Sequence, residues 1–96
     1  MQIKLFAPTM KRAGTEDLSS ALDHLERGDW RAAHAIVQRD EDSALACWAH
    51  GIVHLMEGDA SNARYWYRRA GRDFPAQVRV DAELKALRAA LAPRAP

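Results

Sequence analysis

The chain has a single cysteine, Cys47, among its 96 residues. One thiol excludes an internal disulfide and a zinc knuckle built on cysteines. The lack of disulfides fits a reducing compartment. An excess of one charge is missing too: 14 lysines and arginines stand against 13 acidic residues, for a net charge of +1. Proteins that hold nucleic acid by bulk electrostatics carry a larger excess, so only a local basic patch remains open to that use. No run approaches the roughly 20 apolar residues that cross a bilayer, and no membrane role is expected. Met1–Pro8 holds one lysine and a very short apolar run, without the h-region of a secretory leader. The cytoplasm is the expected location. Strand patterning is scarce as well. Ile3, Leu5 and Ala7 alternate weakly, but Phe6 spoils the alternation, and one short strand would have no partner in the chain.

What the chain does have is helical periodicity. Hydrophobic residues make up 48% of it, many of them alanine, a composition that lets helices approach closely while leucines and aromatics fill the gaps. Residues 1–14 read as an N-terminal arm broken by Pro8 and Gly14. A single helical domain is expected over 15–91. Thr15 is placed to cap a first helix carrying Leu18, Ala21, Leu22 and Leu25, which ends at Gly28. Asp29 can cap a second helix with Trp30, Ala33, Ile36 and Val37 inward, completing a hairpin over 15–40. Asp42 or Ser43 can cap a third helix, which ends at Gly58. Asp59 can cap a fourth, completing a hairpin over 43–71 with Gly71 as its C-cap. A closing helix is expected over 75–91, with Pro75 in its first turn and Val78, Ala82, Leu84, Leu87 and Leu91 on its apolar side. Residues 92–96 form a tail. The short connections make successive helices antiparallel.

The two middle turns echo each other. Leu25-Glu-Arg-Gly-Asp-Trp-Arg-Ala-Ala33 and Leu55-Met-Glu-Gly-Asp-Ala-Ser-Asn-Ala63 share Leu-x-x-Gly-Asp-x-x-x-Ala at an offset of 30 residues. That offset suits a repeated helix–turn–helix unit. With Gly51, Gly58, Ala63, Tyr67, Ala70 and Pro75 at the matching positions, residues 45–75 resemble the tetratricopeptide repeat superfamily. Ala63-Arg-Tyr-Trp-Tyr-Arg-Arg-Ala70 is also similar to the end of a Sel1-like repeat. Residues 17–40 fit less well, with Val37 where an aromatic is usual and Asp40 where an alanine is. His50 and His54 depart from the pattern too. The resemblance implies an all-α fold of antiparallel hairpins, a fragment of a right-handed superhelix closed by the C-terminal helix. It also implies a non-catalytic role as a scaffold that binds a protein, a peptide or a second copy of itself, with no cofactor.

Two further clusters bear on function. Trp48, Ile52, Leu55 and Met56 occupy the groove-facing positions of the repeat. They are apolar, so either the closing helix covers them or a partner does. Arg64, Arg68 and Arg72 recur every fourth residue with Tyr65, Trp66 and Arg69 among them. Like charges at this spacing repel mildly. They call for Glu57, Asp59 or Asp73 as neighbours, or for an acidic or phosphate-bearing ligand; single-stranded nucleic acid is the least favoured partner.

For chemistry, the candidates are His50, His54 and Glu57, which one helix brings to one side and which are plausible zinc ligands. The spelling His-Gly-Ile-Val-His lacks the internal glutamate of the zincin motif. His24 and His34 reach this site only if the first hairpin packs suitably. Neither a nucleophile elbow nor a phosphate-binding glycine loop occurs, and Cys47 reads as a small core residue. Packing is the expected role of the histidines, and a metal-dependent or histidine-using enzyme is the alternative reading from another class.

Overall fold

The structure is a computed structural model that describes residues 15–92. The expected arm over 1–14, the side chain of Thr15 and most of the expected tail lie outside the described residues. Among those described, the chain forms five α-helices: α1 (Thr15–Glu26), α2 (Trp30–Val37), α3 (Ala44–Glu57), α4 (Ala60–Arg69) and α5 (Val80–Leu91).

The helix ends are written locally. Gly28, Gly58 and Gly71 take positive φ, the left-handed conformation that glycine adopts without a Cβ clash. At each, the amide of the glycine and that of the next residue turn back onto the preceding helix. Gly28 N donates to Leu25 O and Asp29 N to His24 O; Gly58 N donates to Leu55 O and Asp59 N to His54 O. Gly71 N and Arg72 N repeat the pattern on Arg68 O and Tyr67 O. These are Schellman ends that satisfy the last carbonyls of α1, α3 and α4. Asp29 then caps α2 by accepting from Ala32 N, and Asp59 caps α4 by accepting from Asn62 N, each at 3.2 Å. Of the two candidates for α3, Ser43 is the cap. The linker before it is shaped by buried Asp40, whose Oδ1 accepts from Asp42 N and Ser43 N at 3.0 Å.

Helix α3 is the axis of the fold and meets all four other helices, whereas α4 lies alongside α3 alone. The reason is visible at Gly51. A Cβ there would stand 2.5 Å from Tyr67 Cδ1 and 3.4 Å from the carbonyl oxygen of Ala63, so only glycine lets α4 come this close. Tyr67 fills the seam and is 1% exposed. The core joins Leu22 and Leu25 of α1, Ala33 and Val37 of α2, Ile52 and Val53 of α3, Tyr67 of α4 and Leu87 of α5.

Helix α5 starts at Val80, five residues after Pro75. Just before this segment, Phe74 packs edge-on against Tyr67 at 5.3 Å. No side chain caps α5; Asp81 and Glu83 in its first turn favour the positive end of its dipole instead. Leu84 and Leu87 are its buried residues, while Val78 is half-exposed and precedes the helix, and Ala82 faces solvent.

Helix α5 settles what covers the apolar side of α3. Trp48 is 3% exposed and Ile52 fully buried, while Leu55 and Met56 are partly buried against the core. Trp48 Nε1 donates to Glu83 Oε1 of α5 at 3.1 Å, and Tyr67 OH donates to the same oxygen. Burial and the adjacent Glu83 carboxylate both hold the Tyr67 phenol in its neutral, donating form, above its ordinary range. Trp48 and Ile52 are therefore core residues, and Trp48 joins α3 to α5.

Candidate metal site

His50 and His54 are one turn apart on α3, which brings their rings onto the same side at 5.1 Å between centroids. His34, in the last turn of α2, completes the group. Ala33 and Val37 bury the inner face of α2, and this rotates His34 toward α3 rather than toward solvent. Its ring stands edge-on to His50 at 4.8 Å and to His54 at 5.4 Å. One ring nitrogen from each of the three lies within 4.8 Å of the other two.

Trp66 provides the floor. Its ring lies flat on His50, 3.8 Å between centroids and 8° between planes. The close approach at Gly51 explains this contact. Gly51 meets Tyr67, so their neighbours in sequence, His50 and Trp66, are brought face to face. Trp66 is 8% exposed and His50 3%.

The hydrogen bonding of the group is incomplete. His34 Nε2 and His50 Nε2 are 3.1 Å apart, so one donates to the other. His50 Nδ1 is buried and has no partner, whichever way that proton sits. A buried nitrogen left unmatched costs about 1–3 kcal/mol and calls for an explanation. His54 is better served: its Nδ1 contacts Glu57 Oε1 at 2.7 Å. With a proton on Nδ1, its Nε2 offers a lone pair, and the carboxylate holds the ring in that tautomer.

Burial and neighbouring rings favour the neutral form of His34 and His50. Burial, then the adjacent His34 and His54, push the pKa of His50 down to about 3. Burial and His54 lower that of His34, against a weaker pull upward from Glu57. Neutral imidazole is the form that ligates metals.

Zn–N bonds of about 2.05 Å at the tetrahedral angle set ligand nitrogens about 3.3 Å apart. The His34–His50 separation of 3.1 Å is close to that edge. A second set, His54, Glu57 and Asp59, also falls within 4.8 Å, but Asp59 is engaged as the cap of α4. The three-histidine group is the better centre, with Glu57 behind it rather than in it.

Of the candidates read from sequence, the structure thus gathers His50, His54 and Glu57, and adds His34. His24 is elsewhere, beside Asp29 at 4.0 Å. Trp66, which the sequence set among the arginines, packs instead on His50. Cys47 takes no part: it is buried, its Sγ donates to Glu41 O at 3.3 Å, and burial raises its pKa. The arginines follow a different course from the one expected. Among the described residues none of Arg64, Arg68 and Arg72 forms an ion pair with Glu57, Asp59 or Asp73. Arg69 instead donates to Glu41 O at 2.6 Å, and Tyr65 beside it is exposed.

No family model matches the chain, and neither a curated protein sequence nor a solved structure matches it.

Proposed function

We propose that the protein binds a divalent transition metal of the zinc type through His34, His50 and His54, and that it is a small metal-dependent enzyme. The convergence of one ring nitrogen from each of three histidines is the observation that carries this reading. Three protein ligands leave a fourth position for water or substrate, the arrangement of catalytic zinc sites; structural sites are closed by four. Glu57 acts as the outer partner that orients His54. His34 is only partly buried and marks the open side. A metal in this setting polarises a bound water or a carbonyl or phosphoryl oxygen, so hydrolysis or hydration is the reaction class.

The interaction-scaffold reading draws on the hairpin grammar. The contact of Gly51 with Tyr67 and Ala63 supports a tetratricopeptide-like pairing of α3 and α4. It has less to stand on as a function, because two of the four apolar positions assigned to a partner, Trp48 and Ile52, are buried in the core.

Titration calorimetry of Zn²⁺ into protein purified without a histidine tag and stripped of metal tests the proposal. We expect one ion per chain at micromolar affinity or better, and a loss of about 100-fold or more in His50→Ala. No heat of binding at micromolar protein, or equal binding by His50→Ala, would remove the metal reading.

A further inference from the structure

The three arginines absorbed by no ion pair share a second site. Arg64, Arg68 and Arg72 line a hollow of about 230 Å³ with Tyr67, Asp73 and Phe74. Their charges are positioned but not neutralised. The Arg64 guanidinium lies over the Phe74 ring at 4.3 Å, and that of Arg72 over Trp48 at 3.4 Å. A ring face attracts the cation and leaves the N–H edges free to donate. Arg68 is exposed between them. Asp73 is the one carboxylate of the hollow and is not within ion-pair distance of any of the three. Three cations against one anion leave a local charge near +2, although the chain as a whole is almost neutral.

We infer that this hollow binds the phosphoryl dianion of a small phosphorylated molecule. Guanidinium forks match the oxygens of a tetrahedral oxyanion, and a dianion balances the local charge. The volume admits a phosphate and a small organic group, with the partly exposed Phe74 ring as an apolar wall, and is too small for a duplex. Holding Arg64 and Arg72 on aromatic faces settles their rotamers in advance, which lowers the entropic cost of binding. The site is built from other residues than the histidine cluster and stands or falls apart from it.

The test uses the full chain in chelator, which keeps any metal from supplying the anion site. Inorganic phosphate, phenyl phosphate and sodium chloride at matched ionic strength are titrated while thermal unfolding is followed. We expect a saturable rise in Tm with phosphate at millimolar concentration, a tighter response to phenyl phosphate, and none with chloride. A response to inorganic phosphate as strong as to phenyl phosphate would overturn the organic part of the ligand. Arg68→Ala removes an exposed side chain and should leave the unliganded Tm unchanged while weakening phosphate about 10-fold. Arg64→Glu should abolish the response. No saturable shift in the wild type, an equal shift with chloride, or an unaltered response in Arg68→Ala would overturn the inference.

Discussion

Leu25–Val37 and Leu55–Tyr67 lie 30 residues apart and fold into the same turn, yet only the second sets a tyrosine against a glycine and a tryptophan against a histidine. Both close on a left-handed glycine and restart on an aspartate cap with the same 3.2 Å bond. The pairs at matching positions then part. Ala21 answers to Gly51, Val37 to Tyr67, Ile36 to Trp66 and His24 to His54. Exchanging Ala for Gly opens the seam, Tyr67 fills it, and Trp66 is carried onto His50. A few differences at matching positions thus alter how closely two helices approach and which rings meet. The first hairpin contributes one residue, His34, which has no histidine at its matching position: Arg64 stands there.

The largest contrast is expected at the residues facing each hairpin seam. Tyr67→Ala removes a fully buried ring together with its bond to Glu83 and should cost about 4 kcal/mol in urea unfolding, against about 2 kcal/mol for Val37→Ala. Equal losses would mean that the second seam is no tighter than the first. At the small residues the contrast is one of mechanism. Gly51→Ala drives a methyl into the Tyr67 ring and should destabilise by about 2 kcal/mol despite the better helix propensity of alanine. Ala21→Gly should lose about 1 kcal/mol from propensity alone. A Gly51→Ala variant more stable than wild type would refute the close-approach argument.

The histidines give the second hairpin a pH dependence. A folded pKa near 3 against about 6.5 in the unfolded chain means that the unfolded state takes up the proton first as pH falls. Stability is therefore full above about pH 6.5 and declines toward pH 3. His50 alone accounts for about 2 kcal/mol between pH 7 and 5, and His34 adds in the same direction. Metal-free His50→Phe, which keeps a ring on Trp66, should flatten this slope. A slope unchanged in that variant would assign the dependence to other groups. The smallest effects are expected at the caps. Asp29→Ala and Asp59→Ala should each cost about 1 kcal/mol, with Asp59 the dearer because it also holds the Asn62 side chain.

Much of the frame was legible because its signals are local. Gly28, Gly58 and Gly71 mark helix ends, and Asp29, Ser43 and Asp59 mark starts, by rules that act within a few residues. The start of α5 was not, since Pro75 is a sound first-turn residue in isolation, yet the helix begins only at Val80, after Phe74 has packed on Tyr67. Helix periodicity brought His50 and His54 to one side, but the direction of His34 depends on how the linker around Asp40 turns α2 onto α3. The stacking of Trp66 on His50 had a usable signal. Once Gly51 is read as the contact point with Tyr67, the residues one position earlier on each helix must meet. The arginine strip was legible with Tyr65 and Trp66 among it; the rings under Arg64 and Arg72 are instead Phe74 and Trp48, beyond the helix or distant in sequence.

Cobalt reports both the presence and the geometry of a metal at the proposed histidine site. Co²⁺ titrated into tag-free, metal-stripped protein should develop the visible d–d bands of a four-coordinate centre, saturating at one ion per chain. His24→Ala should match the wild type, while His34→Ala and His50→Ala should lose the bands. A spectrum no different from aqueous Co²⁺, or bands that persist in His50→Ala, would contradict the assignment of a metal centre to the second hairpin and His34.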